Sequence, residues 1–310
     1  MGKSIRVIDG GGNGFRRADI FSDKPLEVCN FVCTGDQIPF SPDGLVNFAC
    51  AELPPNTSGV SYAMAGEIKD GVVIKSPQIH MLEGADLAKL TEERIGRRIF
   101  KINVLVSNDM DGAAMGMKAL LPLDENYFLA VTWSSGIGVR VFKDGKIIAR
   151  GEGGHIPLDP SSFAPMCGCG LRGCAESIIG GESVRRRVIA TLDAVKPVIS
   201  ENVAGMHPCA ILDQAYKRGD DWAVGIYKLV ACGMGTFLAI YQTIFHVPLI
   251  VWKGSFAMKA LREMESMIRE YMRRRMMNFE WETGVKFILS PRPYFDSLIG
   301  AAELFRRTFT

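Results

Sequence analysis

Four residues, His155, Cys167, Cys169 and Cys174, have the spacing H-x11-C-x-C-x4-C. Three soft thiolates and an imidazole suit a tetrahedral Zn2+. Gly168, Gly170 and Gly173 let the chain wrap closely around an ion. Four protein ligands fill the coordination shell, so such a zinc is structural; a catalytic zinc keeps an open position. A disulfide is the competing reading, but Cys167 and Cys169 are too near in sequence to pair easily. Glu152 lies three residues before His155, and Glu176 two after Cys174. A metal tying His155 to Cys174 would pin both carboxylates on a loop rich in Gly, Pro and Ser that is otherwise mobile. Carboxylates beside a free imidazole edge are good acceptors for sugar hydroxyls. The spacing therefore predicts a polyol pocket that the metal prepares without performing the reaction.

Two glycine-rich turns suggest phosphate. Asp9 ends an apolar strand and is followed by GGGNG (10–14), with Gly11, Gly12 and Asn13 at its centre. The second turn, SSGIG (134–138), supplies the hydroxyls of Ser134 and Ser135 and the backbone of Gly136. Glycine lets backbone N–H groups approach a phosphate closely. Neither turn is a P-loop or a dinucleotide fingerprint, because a strand follows and not a helix. Ordinary hairpin turns are the alternative for each. Asp9 could sit beside a Mg2+ bridging nucleotide phosphates, or cap its turn.

The elements that must position these groups can be read from apolar patterning. Strands are predicted at Ser4–Asp9, Phe15–Phe21, Glu27–Val32, Val60–Met64, Gly71–Lys75 and Val104–Val106. A helix starts at Asp86, and another covers Met110–Leu121, directly after Asn108-Asp109. Then the opening pattern returns, with strands at Phe128–Thr132 and Val139–Phe142 flanking the second turn. Two halves that each begin strand, glycine-rich turn, strand predict a duplicated α/β domain. Loops at strand ends would face a ligand cleft between the halves. The second half is more helical, with Gly181–Val195, Ala210–Arg218, Asp220–Phe245, Lys259–Met277 and a closing helix over Ser297–Phe305.

Composition narrows the class. The 310 residues are 23% charged and 47% apolar, a globular balance with room for two cores. A net charge of +2 indicates neither a nucleic-acid groove nor an acidic tail. Residues 229–252 contain no Asp, Glu, Lys or Arg, which is long enough to span a bilayer. Pro248 divides that run into a buried helix to about Phe245 and a buried strand, LIVW (249–252), so no membrane span is expected. The N-terminus carries no signal h-region. The remaining cysteines, Cys29, Cys33, Cys50, Cys209 and Cys232, have no framework spacing. Together these predict a cytoplasmic protein in a reducing compartment.

Taken together, the motifs resemble the ROK family of sugar kinases and related repressors, within the two-domain α/β actin-like ATPase (ribonuclease H-like) fold. Asp9, Gly11 and Gly12 match its D-x-G-G-T, with Asn13 in place of Thr. NDMDGAAMG (108–116) matches N-D-x-x-x-A-x-x-G, and GEGGH (151–155) matches G-E-x-G-H. CGCGLRGCAE (167–176) matches C-x-C-G-x-x-G-C-x-E at every fixed position. The resemblance implies an N-terminal domain of residues 1–108 plus about 297–310, and a C-terminal domain of residues 109–296 carrying the zinc-binding loop. It further implies ATP-dependent phosphorylation of a hexose or N-acetylhexosamine hydroxyl, the primary 6-OH, with ATP, Mg2+ and a structural Zn2+. Asp109 would be the general base, although an aspartate there could equally cap the following helix. Asn108, Glu152, His155, Glu176 and Gln78 would contact the sugar, with His155 also on zinc. Asp9, Gly11, Gly12, Asn13, Ser134, Ser135, Gly136 and Gly254 would face the nucleotide.

The departures fall mostly on that nucleotide side. Asn13-Gly14 replaces Thr-Lys, Ser134-Ser135 replaces Gly-Thr, and WKGS (252–255) replaces a triple-glycine turn. A sugar-binding protein with impaired kinase activity is therefore one alternative. A sugar-responsive repressor is another, but a first strand starting by residue 4 leaves no room for the helix-turn-helix segment such repressors carry. The expected partner is a small sugar, with no nucleic acid and no membrane. Relatives are often dimers, which leaves a homodimer open.

Overall fold

Strands β1 (Ser4–Gly11) and β2 (Gly14–Phe21) form the predicted hairpin, paired from Ser4 with Phe21 to Gly11 with Gly14. β3 (Lys24–Cys33) continues it on one edge. On the other side β4 (Thr57–Met64) and β7 (Asn103–Asn108) pair in parallel, giving the order β3-β2-β1-β4-β7. The short strands β5 (Glu67–Lys69) and β6 (Val72–Lys75) form a separate two-stranded sheet. Helices α1 (Pro42–Cys50), α2 (Leu87–Ile95) and α3 (Asp109–Leu120) complete this part. The computed structural model describes residues 2–11, 14–35, 41–96, 102–195, 205–277 and 284–309. Gly12 and Asn13 lie outside the described residues.

The alternation of side chains along the strands sorts two cores. Ile8, Val60, Tyr62 and Met64 face α1 and α2, packing on Leu45, Val46 and Leu87. Ile5, Val7, Ala18, Ile20 and Ala63 face the other way, onto Leu298, Ala301, Ala302 and Phe305. Those last residues belong to the closing helix, Asp296–Phe309, which is α9 in the numbering used below. The first core also holds a charge. Arg6 pairs with Asp19 at 2.7 Å across the hairpin and donates to the carbonyls of Ala49 and Ala51, where α1 ends. These bonds satisfy carbonyls that the helix terminus leaves open.

The second half repeats the plan. β8 (Tyr127–Trp133), β9 (Ile137–Lys143), β10 (Lys146–Ala149), β11 (Leu249–Lys253) and β12 (Lys286–Leu289) run in the order β10-β9-β8-β11-β12. Counted from each half's first strand, both sheets read 3-2-1-4-5, so the weak sequence repeat is a repeat of topology. Helices α4 (Ala175–Ile179), α5 (Gly181–Val195), α6 (Pro208–Lys217), α7 (Asp221–Phe245) and α8 (Ser255–Arg273) follow. α7 is the one described helix long and apolar enough to cross a bilayer. Its Gly235 lies against the α8 backbone at Ile268 and Met272, and Val230, Met234, Phe237 and Leu238 are fully buried. That is the setting of a core helix, as the apolar run broken at Pro248 predicts.

The chain divides into two compact units. One comprises Met1–Asn126, Arg140–Glu152 and Ser290–Thr310, the other Tyr127–Val139 and Gly153–Leu289. The first unit therefore runs beyond the boundary expected at 108, and the physical reason is α3. A Cβ on Gly300 of α9 would stand 1.7 Å from the Gly112 carbonyl oxygen of α3 and 2.5 Å from the Gly116 nitrogen. The two helices cross backbone to backbone, which only glycine allows. Gly300→Ala is expected to destabilise the protein by about 1–3 kcal/mol, read as a lower midpoint in urea unfolding with an unchanged slope.

Candidate functional site

Within the first unit, register decides what meets what. Gly10 pairs with Met64, and Met64 pairs with Asn108, so the three parallel strands end in one row. Gly11, Ala65 and Asp109 are the next residues along. The row is the carboxyl edge of the parallel strands, where α/β sheets bind ligands. Gln78 joins it, because a Cβ on Gly11 would meet both its Oε1 and the Ala65 methyl at 3.8 Å. Asp9, Gly11, Gln78, Asn108 and Asp109 are thus brought to one sheet edge from three separate stretches of sequence.

Asn108 is the N-cap of α3. Its Oδ1 accepts the Met110 N–H at 2.8 Å, and its Nδ2 donates to the Gly66 carbonyl at 2.8 Å. Asp109 is the first residue of that helix, half-buried, and its Oδ1 also accepts the Met110 N–H, at 2.9 Å. Its negative charge stands at the positive end of the helix dipole. The cap that the sequence could assign to Asp109 belongs to Asn108, which also keeps an amide N–H to offer a ligand.

Asp9 is buried and forms an ion pair with Arg16, its cross-strand neighbour in the hairpin. Arg16 also donates to the Tyr294 carbonyl. The carboxylate that the sequence places beside Mg2+ therefore has a fixed cation on Oδ2. A magnesium ion typically takes only one or two protein carboxylates, so Oδ1 still fits that role, against competition from Arg16.

Sequence reasoning missed a second set of residues in this unit. Arg140, 4% exposed, donates from Nη2 to Asn108 Oδ1 at 2.6 Å and from Nη1 to the Gly151 carbonyl at 2.8 Å. Its Nε bonds Asp111 Oδ1 at 2.5 Å, while Arg150 holds Asp111 Oδ2 at 2.9 Å. Glu152, the residue after Gly151, is exposed. A signal was present, since an arginine in the middle of the apolar strand VRVF (139–142) needs buried partners.

The second unit contains the metal cluster. One donor atom each from His155, Cys167, Cys169 and Cys174 lie within 4.8 Å of one another, and the donor set fits zinc. His155 Nδ1 stands 3.4 Å from Cys167 Sγ, which puts Nε2 on the far edge of the ring. Cys169 and Cys174 sulfurs are 3.6 Å apart, far beyond the about 2 Å of a disulfide. Burial pushes the Cys167 thiol above its ordinary value and the Cys174 thiol up to about 12. Thiolates held there need a cation beside them.

Backbone bonds zip the loop around the cluster. Cys167 N–H donates to Leu171 O at 2.8 Å, Gly173 N–H to Pro165 O at 2.9 Å, and Ala175 N–H to Ile156 O at 2.9 Å. Gly173 has φ +73°, and a Cβ there would stand 1.8 Å from the Asp159 carbonyl oxygen, so the motif's glycine is required by the fold.

Glu176 and the second glycine turn belong to the same unit and touch. Glu176 Oε2 accepts the Ile137 N–H at 3.1 Å, directly after Gly136. The turn's carbonyls, Ser134 O and Ser135 O, accept the first N–H groups of α5, from Gly181 at 2.8 Å and Glu182 at 3.0 Å. Gly254 follows β11 with φ +102°, its backbone against the Trp133 carbonyl. Lys253, buried, pairs in register with Thr132. Ser134, Ser135, Gly136 and Gly254 therefore lie at the carboxyl ends of two adjacent parallel strands, beside Glu176.

These two sets of residues, one in each unit, can be set beside known proteins. The sequence pattern of the ROK family matches residues 44–308. The chain belongs to the ROK family. The glucokinase of Thermotoga maritima is 25% identical over 198 residues, covering 61% of this chain and 60% of the glucokinase. The chain thus matches about three fifths of the length of that curated relative. Among solved structures, a ROK family glucokinase from Streptomyces griseus in complex with glucose and AMPPNP superposes with TM-score 0.78 at 23% identity, over 98% of this chain and 99% of that one. A ROK family transcriptional regulator, homologous to the E. coli MLC protein, superposes with TM-score 0.81 at 20% identity, over 99% of this chain and 78% of its own. This ROK protein accordingly has the α/β actin-like ATPase fold expected from its motifs. The fold is shared by a kinase and a regulator, so side chains must decide the function.

Proposed function

We propose that this ROK protein transfers the γ-phosphoryl group of ATP to a hydroxyl, the primary 6-OH, of a hexose or N-acetylhexosamine. The observation that carries this reading is the row of strand ends that holds Gly11, with Gln78 against it, and Asp109 two strands away on the same sheet edge, with Asn108 capping the helix behind it. Asp109 accepts the hydroxyl proton as the oxygen attacks in line. Asn108 and Gln78 orient the hydroxyl-bearing carbon, Glu152 and Glu176 accept ring hydroxyls, and His155, with Nδ1 on the metal side, donates its Nε2–H to a ring hydroxyl oxygen. Ser134, Ser135 and the backbone of Gly11, Gly136 and Gly254 face the phosphates. Little covalent chemistry is asked of the protein, since positioning and charge neutralisation dominate phosphoryl transfer.

Asp9 would hold Mg2+, which when bound neutralises phosphate charge. His155, Cys167, Cys169 and Cys174 would hold Zn2+, which when bound supplies rigidity to the sugar loop. The test is incubation with MgATP and a panel of hexoses and N-acetylhexosamines, read by mass spectrometry. A gain of one phosphoryl group on at least one sugar is expected, and no phosphorylated sugar in the panel overturns the proposal.

The Asp9–Arg16 ion pair favours one alternative, a sugar-binding protein with weakened nucleotide chemistry. The two readings separate on a single variant. In a working kinase, Arg16→Met relieves the competition at Asp9. The Mg2+ concentration for half-maximal rate is then expected to fall by about three- to tenfold, as loss of about 1 kcal/mol of opposing charge would give. An unchanged Mg2+ dependence would remove Asp9 from the metal site.

A further inference from the structure

We infer that Arg140 is a positioning residue for the sugar subsite, acting through Asn108 and held in place by Asp111; this rests on the proposed sugar-kinase reading for its functional consequence. The guanidinium joins two segments that are far apart in sequence: Asn108 at the end of β7 with Asp111 in the first turn of α3, and Gly151 just before Glu152. All three partners lie in the first unit. The group is almost wholly buried, and its planar fork meets three acceptors at 2.5–2.8 Å. A buried arginine of this kind fixes geometry better than a lysine, whose three donors sit on one compact atom and not across a rigid planar fork.

The consequence falls on Asn108. Its Oδ1 accepts from both Arg140 and the Met110 N–H, which exhausts the oxygen's two lone pairs. One N–H of its amide is spent on Gly66. The amide is thereby locked in one flip state and meets a sugar only as a donor, through its second N–H. Without Arg140 the Asn108 side chain loses one of three restraints, and the Gly151 carbonyl next to Glu152 loses its anchor. Arg140 thus couples two candidate sugar contacts to one buried cation, and Asp111 keeps that cation neutralised and oriented. Arg150, exposed, shares Asp111 but touches neither Asn108 nor Gly151 in the described contacts, so it serves as the control.

The experiment compares Arg140→Met, Arg140→Lys, Asp111→Asn and Arg150→Ala with the wild-type chain. In Arg140→Met the sugar KM is expected to rise at least about tenfold while the MgATP KM stays within about twofold. Arg140→Lys should recover part of the sugar KM, Asp111→Asn should raise it, and Arg150→Ala should leave both constants unchanged. A folded Arg140→Met protein with wild-type sugar KM overturns the inference, as does an equal rise in both KM values. If Arg140→Met fails to fold, the lysine and Asp111→Asn variants decide in the same way.

A second readout does not depend on turnover. The side-chain amide resonances of Asn108, assigned by their loss in Asn108→Leu, should shift and exchange faster with water in Arg140→Lys. Unchanged Asn108 resonances overturn the positioning role even if no sugar is ever phosphorylated. Shifted resonances in a protein that phosphorylates no sugar would leave Arg140 holding Asn108 and defeat only the kinase reading.

Discussion

Asp109→Asn is expected to lower kcat by about 10²–10⁴-fold or more, which is the contribution general-base assistance makes, equivalent to about 3–5.5 kcal/mol. The sugar and MgATP KM values should change little. The asparagine keeps an oxygen where Asp109 Oδ1 accepts the Met110 N–H, and the helix remains capped by Asn108. Stability should therefore be nearly untouched. This separates the chemistry from the capping role an aspartate at a strand end can have, because a cap acts on folding and costs about 1 kcal/mol. A variant that keeps its rate, or that loses rate only in proportion to a lowered unfolding midpoint, would assign Asp109 to the helix and not to the reaction.

Removing the metal should cost the sugar and spare the nucleotide. Cys169→Ala takes one of the four donors away. The wild-type chain is expected to contain a single zinc and the variant none, by elemental analysis. The loop's backbone bonds remain, yet it must now order itself on binding. Ordering a residue costs about 1–2 kcal/mol, so releasing even two or three residues around His155 and Glu176 should weaken sugar binding by about a hundredfold or more. Cys33→Ala, at a cysteine outside the cluster, should change neither metal content nor affinity. Full sugar binding by a metal-free Cys169→Ala protein would defeat the idea that the ion prepares the pocket.

Much of this was legible before the fold was known, and for physical reasons. Close-spaced thiols and glycines can satisfy few geometries, so the donors of CGCGLRGCAE and His155 converge as their spacing implies. Strand, turn, strand repeated after Phe128 became the same sheet order in each half. The apolar run split at Pro248 became α7 and β11. Local signals were also overlooked. Asp144-Gly145 is a strong hairpin turn, with φ +47° and +82°, and it joins β9 to β10, which the sequence reading left out.

Other features were not legible, because they depend on contacts between distant segments. Nothing local says that Arg16 will neutralise Asp9, since that follows from the register of the hairpin. Nothing local joins Arg140 to Asn108, 32 residues earlier. The boundary at 108 failed for the same reason: α3 belongs with the first unit because Gly112 and Gly116 meet Gly300 of α9, almost two hundred residues on. The residues that carry chemistry stood out by type, whereas those that hold them in place stood out only by position.

The most direct test measures binding and turnover on one metal-replete preparation, with calorimetry for each sugar and coupled ADP release for the same sugar with MgATP. The account predicts that the sugar bound most tightly also drives ADP release, and that chelating the zinc abolishes both while ATP still binds. A sugar bound tightly with no ADP released, for every sugar and every phosphate donor tried, would contradict it.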